Sequence, residues 1–367
     1  MHQSIMVIGL DVHKDTIVAA LLPSDAERPT ETTTLENHPA ALRRFIRRLA
    51  QTEPRVFVYE AGPCGYEVQR QLVAQHQHVA VIAPALTPVR PGDRVKTDRR
   101  DAEKLARLYR AGELTPIRVP TRAEEAARDL VRTREDTLVD RLRARHRLSK
   151  CLLRHGRIYR PTKPWGVAHR AWLHAQTFDE LALQQTYTAY LRTLEEAEAR
   201  LALITQQILD LAHTPPYQRP VQYLRCLRGI DTLSALTLVA ETQDFRRFPH
   251  APAYMGATGL VSRESSSGAR QQRGSITKTG NAHLRRVLVE AAWSYRQRNR
   301  LSPTVTARRQ GCPHAIVQLA QRAQDRLHRK FGRLLSRGKP SQVAVVAVAR
   351  ELAGFVWAMA QHFPMPA

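Results

Sequence analysis

IMVIGLDVHKDTIVAALL, Ile5 to Leu22, is the stretch whose reading decides the fold. An apolar run, Ile5 to Val12, is followed by a polar triplet, His13-Lys14-Asp15, and a second apolar run, Thr16 to Leu22. Two such runs around a tight polar turn predict a β-hairpin. The first run ends in an acid, Asp11. Packing gives no reason for a carboxylate directly after a buried strand.

The elements that follow predict an α/β domain. Ala40 to Leu49 is helix-like, and RVFVYE (Arg55 to Glu60) is a second strand ending in an acid. The turn AGPCG leads into a helix, YEVQRQLVAQ, and then a strand, HVAVIA, that stops before Pro84. PALTPVRPGDRVKT is Pro-rich and basic, hence a loop. DRRDAEKLARLYRAG (Asp98 to Gly112) has helical periodicity and a glycine stop.

Four acids stand out. Asp11 and Glu60 end strands, while Asp98 and Asp101, three residues apart at a helix start, share one face. In a sheet of RNase H-like layout the two strands lie side by side, and all four carboxylates converge. Clustered carboxylates repel unless cations sit between them. Two Mg²⁺ ions, roughly 3.5–4 Å apart, would then serve phosphoryl transfer. Taken alone, Asp98 and Asp101 also read as an N-cap and a first-turn partner of the helix dipole. Asp15 and Asp93 read as solvated turn residues. His13 and Lys14 read as turn residues or phosphate contacts rather than ligands.

From Thr121 to His155 the pattern is helical and highly charged. After Pro161 and Pro164 a second long helix carries Leu183, Tyr187, Tyr190, Leu194, Ala197, Leu201, Ile204, Ile208 and Leu211 at alternating spacings of four and three. This is a coiled-coil seam. It is either a helix packed on its own domain or an antiparallel hairpin that also dimerises. PPYQRP (Pro215 to Pro220) marks a boundary. Leu224 to Thr242 then reads as helix, short turn, helix, similar to a phosphate-binding helix-hairpin-helix, with Asp231 where a second glycine is expected. The C-terminal part is helical, with a basic helix around Gln318 to Arg337 and an apolar one, VAVVAVARELAGFVWAMA. Arg322, Arg326, Arg329, Lys330 and Arg333 make the basic helix a candidate RNA surface or a solvated face.

The 367 residues carry 57 Lys and Arg against 33 Asp and Glu, a net charge of +24, with 43% hydrophobic residues. That is a folded protein with room for several domains, and its charge points to a polyanion, nucleic acid first. An anionic membrane is the rival, but no stretch reads as long and apolar enough to span one. No secretion signal is expected at the N-terminus. The four cysteines are far apart and form no CxxC pair, which argues against zinc or a disulfide scaffold and for a reducing cytoplasm.

SRESSSGARQQRGSITKTG, Ser262 to Gly280, has no apolar run. It reads as a mobile linker or as a loop presenting a serine hydroxyl to a phosphate. Arg263, Arg270, Arg273 and Lys278 are candidate phosphate contacts, continued by Arg285 and Arg286 in the next helix.

GLDVHKDTIVAAL, YEAGPCGYE, KTDRRDAEKLA and GLVSRESSSGARQQRGSITKTGNAHLRR, in that order, resemble the DEDD transposases of bacterial insertion sequences, the IS110 type, also described as bridge-RNA-guided recombinases. The resemblance implies a RuvC-like catalytic domain over residues 1–120, a coiled-coil region over 121–213, a mainly α transposase domain over 214–300 and a helical tail over 301–367. It implies that Asp11, Glu60, Asp98 and Asp101 bind Mg²⁺ and that Ser267, directly before Gly268, is the nucleophile. Ser265 and Ser266 are the neighbouring alternatives, and Ser262 stands where many relatives have proline. The implied partners are donor and target DNA, a guide RNA encoded by the element, and further copies of the chain in a dimer or tetramer. The implied setting is the bacterial cytoplasm, at the nucleoid. Without the family likeness, a junction-resolvase-like nuclease using water explains the acids, and a non-catalytic binder explains only the charge.

Overall fold

A computed structural model describes residues 5–49, 53–88, 97–161, 163–267 and 270–364. Asp93 and Gly268 therefore lie outside the described residues. The chain divides into two compact units, residues 1–120 and 121–367.

The first unit is a five-stranded sheet flanked by helices. Its elements are β1 (Met6–Val12), β2 (Thr16–Leu22), β3 (Glu31–Glu36), α1 (Pro39–Arg48), β4 (Arg55–Glu60), α2 (Glu67–Val73), β5 (His78–Ile82) and α3 (Asp98–Arg110). The strand order is β3-β2-β1-β4-β5. β1 and β2 form the expected antiparallel hairpin, while β4 runs parallel to both β1 and β5. β3, ETTTLE, had no sequence signal. It is a half-exposed, Thr-rich strand at the sheet edge, where alternation of apolar residues is not required.

β1 is central, so both its faces are buried. Ile8 and Leu10 pack with Phe57, Tyr59 and residues of α1 and α2. On the opposite face Val7 packs with Val58, Leu105 and Ala106, the last two on α3. Gly9 lies on that second face, and a Cβ there would sit 2.0 Å from the Ala102 carbonyl oxygen. Only glycine admits so close a helix. Ala102 and Ala20, both fully buried, continue the small-residue contact.

The second unit begins with α4 (Arg122–Arg154), capped by a reciprocal Thr121–Glu124 box. There follow α5 (Val167–His174), α6 (Leu181–Leu211), α7 (Gln218–Leu224), α8 (Thr232–Thr242), α9 (Ala251–Ala257), β6 (Ser262–Ser267), β7 (Arg270–Ile276), α10 (Ala282–Ala292), α11 (Pro303–Arg309), α12 (His314–Ser336) and α13 (Ser341–Ala360). The described residues thus hold thirteen α-helices.

α4 and α6 pair antiparallel within the chain. Ala127 and Val131 share a core with Ile204 and Ile208, and Ala144, Leu148 and Leu152 share another with Tyr187 and Leu194. The predicted seam is buried at Tyr187, Leu194, Ala197, Leu201, Ile204 and Ile208.

α13 corrects one sequence expectation. It is 20 residues long with a mean hydropathy of 1.7, enough by length and composition to cross a membrane. Here it is the central helix of the second core, with Ala344, Val348, Leu352 and Val356 fully buried. Its Glu351 pairs with Arg326 at 3.0 Å and with Lys330. Two cations of the candidate RNA helix are therefore engaged inside the unit.

The helix-turn-helix before α8 is also built differently from a phosphate loop. Gly229 has φ +84°, and a Cβ on it would lie 2.2 Å from the Ala291 carbonyl oxygen. The turn packs onto the end of α10. Asp231 caps α8 by accepting from the Ser234 amide at 2.8 Å, so its own carboxylate occupies the helix N-terminus that a phosphate would use.

Candidate active site

Three elements, β1, β4 and α3, carry the four candidate acids; Asp11 and Asp98 come together with His13, and Glu60 is outside that group. Leu10 pairs with Tyr59 in the parallel β1–β4 register, and one step further along come Asp11 and Glu60. Side chains alternate along a strand. Asp11 therefore shares the face of Gly9, and Glu60 that of Val58, which is the face covered by α3. Thr97 caps α3 by accepting from the Arg100 amide at 3.3 Å. The capping role considered for Asp98 is thus already filled, and Asp98 and Asp101 stand in the first turn above the strand ends.

Asp11, His13 and Asp98 form the tightest group: each offers a ligand atom within 4.8 Å of the others. His13 Nε2 lies 3.2 Å from Asp11 Oδ2 and 3.5 Å from Asp98 Oδ1. Burial raises the Asp11 carboxyl above its ordinary range, the charge of His13 and its hydrogen bond oppose this, and Asp101 and Asp98 add to the rise. Asp101 thus acts on Asp11 electrostatically as well. Sequence reading gave His13 as a turn residue or phosphate contact rather than a ligand. Its place beside Asp11 follows from D-x-H at a strand end, since residues two apart on an extended chain point the same way.

The described parts of the serine stretch on either side of residues 268–269 are strands. β6 and β7 form an antiparallel hairpin in which Ser265 pairs with Gln272, Ser266 with Gln271 and Ser267 with Arg270. Ser267 and Arg270 are the last pair of the described register. The base of the hairpin is clamped to the end of α9: the Thr277 amide donates to the Val261 carbonyl, Lys278 to Gly259 and Asn281 to Ala257, at 2.8, 3.1 and 2.9 Å. Gly280, at φ +112°, makes the last of these turns, where a Cβ would lie 2.1 Å from the Ala257 carbonyl oxygen.

The basic candidates divide. Arg263 and Lys278 are exposed. Arg270 and Arg273 lie on β7, placed here by backbone register alone. Arg285 instead donates to the Thr258 and Lys278 carbonyls at 3.1 and 3.2 Å, pinning the hairpin base. Arg286 pairs with Glu135 and, at 3.0 Å, with Glu290. Its charge is balanced within the protein.

Below the hairpin lies a polar junction that sequence reading missed. The Glu241 side chain is fully buried and accepts two hydrogen bonds from Arg132 of α4, at 2.7 and 2.9 Å, and one from Asn281 Nδ2 at 2.7 Å. Asn281 in turn caps α10 through the His283 and Leu284 amides. No spacing rule links residues 132, 241 and 281.

Two family models match the chain: one for DEDD transposases of IS110 type, described as "Transposase", over residues 8–156, and "Transposase IS116/IS110/IS902 family" over residues 221–306. The first match spans all four candidate acids and the second spans the serine hairpin. The chain is 38% identical to "Putative transposase y4qE" of Sinorhizobium fredii, across 97% of this chain and 88% of that protein. It is 34% identical to "Transposase for insertion sequence element IS1533" of Leptospira borgpetersenii, across 90% of this chain and 97% of the relative. A similarity of 26% extends to "Transposase for insertion sequence element IS1328" of Yersinia enterocolitica, over 68% and 73% of the two chains. With two family models aligned on its two candidate centres and relatives matched along nearly its whole length, the chain belongs to the IS110 family of insertion-sequence transposases.

Proposed function

We propose that this transposase cuts and rejoins DNA by serine-linked strand exchange, with Ser267 as nucleophile and Asp11, Glu60, Asp98 and Asp101 as the acidic centre of an RNase H-like, RuvC-type domain. The observation that carries this reading is the convergence of β1 and α3, which sets Asp98 beside Asp11 and His13. The strand order β3-β2-β1-β4-β5, with the acids at the ends of adjacent parallel strands, supports the domain assignment.

The donor set fits a hard divalent cation. Carboxylate oxygens suit Mg²⁺, and the His13 nitrogen also suits Mn²⁺. The Asp11 carboxyl is raised by burial first, with Asp101 and Asp98 adding to the rise, so added positive charge there would favour the ionised form. A bound Mg²⁺, or a pair, would neutralise phosphoryl oxygens and lower the barrier to attack on phosphorus.

In the proposed step the Ser267 oxygen attacks a DNA phosphorus and forms a serine–phosphate bond. The bond to the 3′ oxygen breaks, and that oxygen leaves as a hydroxyl after taking a proton. One phosphoester replaces another, so rejoining by the reverse attack needs no external energy source. The acids and Ser267 belong to different compact units, and the family resemblance implies that different subunits of a dimer or tetramer complete one centre. The same resemblance implies a guide RNA from the element. Base pairing would then read donor and target, and side chains need only hold the backbones.

The test is to incubate the protein with element-end DNA and Mg²⁺, denature it, and separate protein-bound from free DNA. A covalent adduct is expected, absent in Ser267→Ala and Asp11→Ala. Cleavage without an adduct would assign water as the nucleophile and make the protein a junction-resolvase-like nuclease. An adduct that persists in Ser267→Ala moves the nucleophile to Ser265 or Ser266.

A further inference from the structure

The far end of the α4–α6 hairpin concentrates charge that neither candidate centre uses. Between Asp140 and Asp179 the chain carries ten Lys and Arg residues and no acid. On α4, Arg143, Arg147, Lys150 and Arg154 follow at spacings of four, three and four, so they line one helix face, and all are exposed. At 1.5 Å per residue the row is about 16 Å long. Arg160 and Lys163, also exposed, continue it into the loop before α5. Arg143 has a partner, Asp140 at 3.3 Å. Arg147, Lys150, Arg154, Arg160 and Lys163 make no ion pair among the described residues.

We propose that this row is a docking surface for the phosphate backbone of duplex DNA, read without regard to sequence. A B-form strand presents a phosphate about every 3.4 Å of axis, so a 16 Å row faces about five on one strand. Single-stranded nucleic acid would need exposed rings on which bases stack. The rings at this end are already committed to one another: Tyr159 lies 4.3 Å from His169 and 5.4 Å from Trp172, and Trp165 lies 4.9 Å from His169 under the Arg145 guanidinium at 4.7 Å. Leu142, Leu153 and Ile158 are also exposed at this end, but aliphatic side chains give bases no ring to stack on, and the cations beside them suit a backbone. A second copy of the same surface would meet like charge. The family acts on DNA, which sets duplex DNA ahead of duplex RNA.

The test is binding of full-length protein to a duplex DNA lacking element ends, in metal-free buffer, across a salt series. It does not depend on Ser267 or on the acids. Arg147→Gln/Lys150→Gln/Arg154→Gln should weaken binding at least tenfold at moderate salt and lower the salt slope by about 0.9 per lost contact. Arg43→Gln/Arg44→Gln/Arg47→Gln on α1, exposed and of equal charge loss, should change the slope far less. Equal losses in the two variants would overturn the proposal. So would tighter binding of an RNA duplex or of single-stranded DNA than of duplex DNA. As a measurement independent of the triple variant's folding, a photo-cross-linking side chain at exposed Ser149 should capture DNA. Cross-links to protein alone would overturn the assignment.

Discussion

A Cβ placed on Gly9 would stand 2.0 Å from the Ala102 carbonyl oxygen and 2.9 Å from the Ala106 nitrogen, so α3 rests directly on the backbone of β1. That contact sets how near Asp98 and Asp101 come to Asp11. Gly9→Ala should push α3 outward, cost about 1–3 kcal/mol through overpacking, and weaken Mn²⁺ binding by the acidic centre. Gly62→Ala is the control, because its nearest neighbour is an oxygen at 4.0 Å. Denaturant titration and calorimetric metal titration check both. Unchanged metal affinity in Gly9→Ala would separate the helix contact from the site.

Asp11 should make the metal-free protein less stable at neutral pH. Its carboxyl is raised above 3.8 in the folded chain, by burial first, so the native state holds that proton more tightly than the unfolded state does. The associated stability is present at low pH and is lost as pH rises from about 3.8 through the folded value. Asp11→Asn should therefore raise the melting temperature of metal-free protein at pH 7 while abolishing metal binding and DNA cleavage. Added Mg²⁺ should raise the melting temperature of the wild type only. A lower melting temperature for the metal-free Asn variant would refute the burial argument.

The junction beneath the serine hairpin should be costly to break. Removing Arg132 leaves the fully buried Glu241 carboxylate without its main partner, and Arg132→Ala should cost about 3–5 kcal/mol. Burial alone would raise the Glu241 carboxyl, but hydrogen bonds from Arg132 and Asn281 outweigh it and hold the group below 4.5. For a lowered acid the stability is present above the unfolded value and is lost as pH falls below about 4.5. The gap between wild type and Arg132→Ala should accordingly shrink on acidification, as urea titrations at several pH values would show.

Thiol reactivity should sort by burial. Cys226 is fully buried, its sulfur 3.5 Å from that of Cys312, and burial with this neighbour pushes its thiol up to about 12. Only the thiolate alkylates readily. At pH 8 iodoacetamide should label the half-buried Cys64 and Cys312 and spare Cys226 and the buried Cys151, as peptide mass spectrometry would register.

The local pattern alone determined a good deal of this protein. The β1–β2 hairpin and the strand ending at Glu60 are written in short apolar runs bounded by polar turns, and the α3 helix opening on Asp98 and Asp101 and the α6 seam from Tyr187 to Ile208 in spacings of three and four, which a backbone of fixed geometry must obey. The order of motifs also sufficed to identify the family. Tertiary structure decided what no short window holds. It brought His13 into the acidic group, paired Ser262–Ser267 with Arg270–Ile276, placed Arg285 on carbonyls and Arg286 on carboxylates, and buried α13 as a core helix. The physical reason is that charge pairing and burial depend on which surfaces meet in space. Glu241, Arg132 and Asn281 meet only because α4, α8 and α10 pack around one core, and nothing in their sequence neighbourhoods announces the encounter.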